Sequence, residues 1–94
     1  MTEFAAVFAT AHGRVQGVSF RAFVEYRARE LGVTGYVRNL PEFRQLEVYA
    51  EGEKGKLEEL LRLVSAGPPR ARVERVDVTW SPYSGRHRHF VVRF

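Results

Sequence analysis

Twice along the chain, the apolar residues change from strand-like alternation to a helical repeat and back. Phe4 to Thr10 is short, apolar and stopped by His12-Gly13, which predicts a strand. Phe20, Phe23, Val24, Ala28 and Leu31 then recur at helical spacing, with polar Glu25, Arg27 and Arg29 on the other side. Glu25 and Arg29 stand four apart in the favourable order, and Gly32 follows Leu31 where a helix would stop. Thr34 to Asn39 reads as a second strand, and Leu46, Val48 and Ala50 mark a third. Leu57, Leu60, Leu61 and Val64 predict a second amphipathic helix, closed by Gly67-Pro68-Pro69. Val76, Val78 and Trp80 alternate in a fourth strand. A turn-like stretch, Ser81-Pro82-Tyr83-Ser84-Gly85, separates it from a short fifth strand over Phe90 to Phe94.

Strand, helix, strand, strand, helix, strand, with one strand added, is a split βαβ order. It predicts the α+β class: a ferredoxin-like sandwich with a mostly antiparallel sheet and two helices on one face. The 94 residues suit a single domain over 1–94, with no internal linker and no repeat. No apolar run approaches the ~20 residues of a membrane-spanning helix. Met1-Thr2-Glu3-Phe4 lacks the basic and apolar regions of a secretory signal. There is no cysteine, which removes disulfides, thiol catalysis and cysteine metal sites together and fits a cytoplasmic protein. Net charge is +4, from thirteen arginines and two lysines against eleven acidic residues. A basic balance suits nucleic acid, a membrane surface or small acidic ligands. These arginines are spread along the whole chain, as on a solvated surface.

One arginine stands apart. Gly13-Arg14-Val15-Gln16-Gly17-Val18-Ser19-Phe20-Arg21 joins the first strand to the first helix, with two glycines in the loop and an arginine at the helix start. Loop N–H groups can turn inward, the first helical N–H groups have no intrahelical partner, and the helix dipole favours negative charge. Arg21 adds a planar fork suited to two phosphate oxygens. Ser19 reads as a helix N-cap rather than a nucleophile. The helix carries the chain away over about 16 Å at ~1.5 Å per residue. The strand ending at Asn39 returns over roughly 17–20 Å at ~3.3 Å per residue. A right-handed crossover therefore brings Asn39 back to the loop and Arg21.

No nucleophilic triad and no paired carboxylates are visible, and His12, His87 and His89 lack a matching ligand set. His87 and His89 read as solvated surface. An arginine and an amide suit a reaction that needs only positioning and charge stabilisation. Hydrolysis of an acyl phosphate is one. Its leaving group is a carboxylate, with a conjugate-acid pKa of ~4–5 by analogy with Asp and Glu, and it departs without a general acid. The loose phosphoryl transition state asks the protein to hold oxygens and aim a water. The Asn39 amide, both donor and acceptor, can aim it.

Gly13 to Arg21, then Gly35-Tyr36-Val37-Arg38-Asn39-Leu40-Pro41, then Ala50-Glu51-Gly52, resemble the acylphosphatase family over essentially the whole chain. The resemblance implies a small, cytosolic, monomeric hydrolase of carboxyl phosphates that uses no metal and no cofactor. It assigns the phosphate cradle to the backbone of Val15, Gln16, Gly17, Val18, Ser19 and Phe20, with Arg21 as phosphate ligand and Asn39 as orienter of the attacking water. The implied ligands are a small acyl phosphate and, product-like, inorganic phosphate or sulfate; no nucleic acid or membrane is implied. The chain departs from the family in one connection. Leu40-Pro41-Glu42-Phe43-Arg44-Gln45 replaces a tight Asp-Gly type of turn, is one residue longer and has no glycine, so a type I′ turn is hard to form.

Two rival readings share the fold class. The first is a nucleic-acid-binding module, since Tyr36-Val37-Arg38-Asn39-Leu40 resembles the shorter signature of RNA-recognition domains. That signature falls here on the second strand rather than the first, its glycine- and aromatic-rich partner is missing, and Leu46-Glu47-Val48-Tyr49 offers one stacking ring beside an acid. The second rival is a non-catalytic anion-binding domain, against which Arg21 and Asn39 both stand.

Overall fold

The computed structural model describes residues 2–42 and 44–94. In chain order these form β1 (Phe4–Arg14), α1 (Phe20–Leu31), β2 (Thr34–Asn39), β3 (Gln45–Glu53), α2 (Lys54–Ala66), β4 (Arg72–Ser81) and β5 (Phe90–Arg93). One sheet runs β4-β1-β3-β2-β5. Every neighbouring pair is antiparallel except β2 and β5, which are parallel. This is the expected ferredoxin-like sandwich with a short fifth strand.

The alternation seen in the sequence is the core. Val7, Ala9 and Ala11 of β1, Val37 of β2, and Leu46, Val48 and Ala50 of β3 turn to the helices. Phe20, Val24 and Ala28 of α1 and Leu57, Leu60 and Val64 of α2 meet them. Each large apolar side chain buried this way contributes about 1.5–3 kcal/mol over its exposed state. α1 ends as its glycine predicts. The Gly32 N–H donates to the Arg29 carbonyl at 3.2 Å and the Val33 N–H to the Ala28 carbonyl at 3.1 Å, the paired bonds of a Schellman motif.

The first strand runs further than its composition suggests. His12-Gly13 does not stop it; the pairing with β4 shifts register there and continues to Arg14 opposite Arg72. Gly13 has φ 132°, and a Cβ at this point would overlap the Arg72 carbonyl oxygen. The glycine permits a bulge, which bends the strand toward the loop. β4 accordingly begins at Arg72, four residues before the alternation at Val76 becomes legible.

On the face away from the helices, the segment between β4 and β5 crosses the sheet from one edge to the other. Glu51 of β3, with no exposed surface, pins it midway. Its carboxylate accepts from the Ser84 N–H at 2.9 Å, the Ser84 hydroxyl at 2.6 Å, the Gly85 N–H at 3.1 Å and the Tyr49 hydroxyl at 2.6 Å. Burial pushes the carboxyl pKa up, but these donors outweigh it and hold the group below its ordinary range. His87 lies 5.2 Å from the Tyr49 ring and 6.1 Å from Tyr36, half-buried, so it is not the solvated surface residue expected.

Register also brings three rings together where the sequence shows one. Phe8, Tyr49 and Tyr36 stand opposite one another on β1, β3 and β2, with centroids 6.4 and 5.9 Å apart. Both tyrosine hydroxyls are spent on carboxylates: Tyr49 on Glu51 and Tyr36 on Glu47 at 2.8 Å. Arg38 joins Glu47 at 2.9 Å, and the Arg93 guanidinium sits 4.0 Å over the Tyr36 ring. Burial, with the Glu47 hydrogen bond and charge, raises the Tyr36 pKa to about 12.

Candidate active site

The loop after β1 and the start of α1 form one wall of a cavity of about 580 Å³. Val15, Gly17, Ser19, Phe20 and Arg21 line it from the loop and helix, and Asn39 from the end of β2. Arg21 and Asn39, eighteen positions apart in the chain, therefore face the same space, as the near-equal lengths of α1 and β2 predict. A second cavity of about 320 Å³ lies against the same loop, lined by residues 13–18 and Arg44. Gln16 and Val18 belong to this second cavity and not to the first. Of the six predicted cradle residues, Ser19 and Phe20 line only the first cavity, Gln16 and Val18 only the second, and Val15 and Gly17 both.

The loop's backbone is unusual for so short a run. Gly17 has φ 72°, with nothing within 4 Å of where a Cβ would stand. Ser19 has φ 61° and ψ 27°, and is the one non-glycine residue at positive φ among those described. It occupies the N-cap position as expected, but its side chain makes no capping bond; its carbonyl accepts from the Phe23 N–H at 3.1 Å. A left-handed residue running into right-handed helix turns successive N–H groups to one side, a concavity suited to an anion. Holding a serine there costs of order 1–3 kcal/mol, the kind of strain that gathers at ligand clamps.

Arg21 is half-buried. Its Nη1 donates to the Arg93 carbonyl at 3.3 Å and its guanidinium lies 4.5 Å from the centre of the Phe94 ring. None of the ion pairs among the described residues uses it. Glu25, one turn further along α1 and at the edge of the cavity, is taken by Arg29 at 3.1 Å. Arg29 also donates twice to the Phe90 carbonyl, both at 3.2 Å, which fastens β5 to α1. Asn39 is half-buried, and its Oδ1 is fully covered without a hydrogen-bond partner among the described residues. A buried carbonyl oxygen left so costs about 1–3 kcal/mol.

Two contributors escape a reading of the sequence. The far wall of the cavity comes from Val91, Val92 and Phe94. They are there because β5 pairs in parallel beside β2, a long-range choice with no local signal. The other is the Gln16 side chain. Its Nε2 donates to the carbonyls of Leu40 and Gln45, each at 3.0 Å, and of Glu42 at 3.1 Å. It thereby holds the glycine-free connection between β2 and β3, whose Phe43 lies outside the described residues. The motif spacing marks Gln16 as a loop residue and says nothing of where its amide goes.

Known proteins share this sequence and fold. The acylphosphatase family model matches residues 7–92. An acylphosphatase from Anaeromyxobacter sp. (strain Fw109-5) is 48% identical over 93 residues, covering 99% of each chain. One from Rubrobacter xylanophilus is 54% identical over 81 residues, covering 86% of this chain and 73% of the other. The crystal structure of acylphosphatase from Bacillus subtilis superposes with a TM-score of 0.91 at 31% identity, covering 96% of this chain and 99% of that one. With the match running through the loop, both helices and all five strands, the chain belongs to the acylphosphatase family.

Proposed function

We propose that the cavity binds the phosphoryl group of a small acyl phosphate between Arg21 and the loop residues that line it, Val15, Gly17, Ser19 and Phe20, and that Asn39 aims the water that attacks it. Family membership supports the hydrolase activity. The observation that carries the residue roles is the one cavity shared by a strained, left-handed loop, an arginine outside every ion pair among the described residues, and the Asn39 amide, whose oxygen has no partner among them.

The reaction follows from those groups. Loop N–H groups and the Arg21 fork take the non-bridging phosphate oxygens, where charge is greatest. The Asn39 amide lines the same cavity; turned about its last side-chain bond so that its covered Oδ1 faces the cavity, it accepts one hydrogen of the water and orients the lone pair toward phosphorus. As the water oxygen bonds to phosphorus, the bond from phosphorus to the acyl oxygen breaks and the carboxylate leaves with the electron pair. The water's second proton passes to a phosphate oxygen or to solvent. No group in this sequence has to protonate the leaving group, because a carboxylate is stable as the anion. The 3.3 Å bond from Arg21 to the Arg93 carbonyl is long and easily exchanged for a phosphate oxygen. The groups named here all come from one chain, so the proposed chemistry calls on no residue of a second copy.

Arg21 is the test of the binding half. Arg21→Lys keeps the charge and loses the planar two-oxygen grip. Both Arg21→Ala and Arg21→Lys are expected to weaken competitive inhibition by inorganic phosphate and to lower kcat/KM for acetyl phosphate. A lysine variant with the parent's phosphate affinity and turnover would remove Arg21 from this role. Hydrolysis is expected to persist in excess chelator; loss there, restored by a divalent cation, would overturn the metal-independent reading.

A further inference from the structure

We infer that Gln16 is a positioning residue for this reaction: its side-chain amide clamps the 40–45 connection and through it sets the aim of Asn39. The inference rests on the reading of Asn39 given above. Asn39 closes the β2–β3 ladder opposite Leu46, and the next residue begins the connection. From Leu40 to Gln45 there is no glycine to turn backbone groups outward. The Leu40 N–H donates to the Gln45 carbonyl and the Gln45 N–H to the Glu42 carbonyl, both at 3.1 Å. The carbonyls of 40, 42 and 45 nevertheless converge on one point, and Gln16 Nε2 stands there. Two amide hydrogens serve three acceptors, so one is shared. The Gly13 N–H adds a fourth tie, to the Arg44 carbonyl at 3.0 Å.

The consequence for Asn39 comes from what it lacks. Its Oδ1 has no partner among the described residues, so no hydrogen bond to that atom fixes its direction. The aim of the amide is therefore set by the atoms packed over it and by the backbone at 39 and 40, and the Leu40 carbonyl is one of the three that Gln16 holds. Gln16 itself lines the smaller cavity on the other side of the loop and does not reach the phosphate side. Its main-chain and side-chain contributions are separable for this reason. The amide ties the strand end carrying the water-aiming group to the loop carrying the phosphate.

A double-mutant cycle reads this directly. Gln16→Met keeps the length and removes the donors. In the intact protein it is expected to lower kcat for acetyl phosphate roughly tenfold or more, the scale of a small misplacement of a reacting group. Inhibition by inorganic phosphate should stay within about twofold of the parent, because binding and chemistry separate when only aim is lost. In an Asn39→Ala background, Gln16→Met should cost nothing further. Parental kcat in Gln16→Met, a fall in phosphate affinity matching the fall in kcat, or full additivity in the double variant would each overturn the inference. Parental kcat in Asn39→Ala alone would instead sink the reading of Asn39, and this inference with it. Should Gln16→Met not fold, Gln16→Glu serves. Its protonated acid keeps one donor, so its kcat relative to the parent must rise as pH falls through the carboxyl range. A flat ratio overturns the inference.

Discussion

At the residue scale, the site depends on conformations that side chains rarely adopt. Gly17→Ala introduces a Cβ that meets nothing within 4 Å, so its cost is backbone strain alone. That strain is about 1–2 kcal/mol, and urea unfolding should show a loss of this size. Gly13→Ala should cost more, because its Cβ overlaps the Arg72 carbonyl oxygen as well as the backbone being at positive φ. A similar loss for the two would mean that the bulge relaxes freely. Asn39→Ala is expected to lower kcat by on the order of a hundredfold with little change in phosphate inhibition, since its proposed contact strengthens as the water approaches phosphorus. The variant's unfolding midpoint shows whether the strand end has survived.

At the element scale, β5 is the piece that completes the cavity, and two anchors place it, the exposed Arg29 and the buried Glu51. Arg29 ties it to α1, while Glu51 fixes the segment that delivers it across the sheet. The Glu51 carboxyl titrates below its ordinary value of 4.5 in the folded protein. It therefore contributes stability that is present above that value and lost as pH falls through the depressed folded one. Glu51→Gln should flatten this part of the acid-unfolding profile. A variant with the parent's slope below pH 4.5 would remove Glu51 as the source. On the alkaline side, Tyr36 should be the late tyrosine in an ultraviolet titration, ionising near 12, and Tyr36→Phe should delete that step. Since its folded value is raised, its contribution is full below the unfolded value and fades as pH rises through the folded one.

For the whole molecule, stability rests on a thin core between one sheet and two helices. Leu57 is fully buried among them. Leu57→Ala removes apolar contact and leaves a cavity that a small sandwich cannot easily close, at a cost of about 2–5 kcal/mol. For a domain of this size that is a large share of the total. The chemical denaturation midpoint should fall accordingly, without a change in slope if both states keep their exposed areas.

The sequence alone determined the elements and their order, because apolar period is a local property: Phe20, Val24 and Ala28 lie on one helix face whatever surrounds them. It also brought Arg21 and Asn39 to one end of the sheet, since helix and strand rise per residue are fixed. It did not reveal that β1 continues past Gly13, because a glycine that ends a strand and one that bulges it look alike until the partner strand is known. Nor could it show Phe8, Tyr49 and Tyr36 in one row, His87 against them, or β5 closing the cavity, all of which depend on cross-strand register and on which edge the last strand takes. Gln16 is the sharpest case. Its type and place in the motif are local facts, but its three carbonyl partners lie 24 to 29 residues away and meet only where the tertiary structure brings Leu40, Glu42 and Gln45 back to the loop.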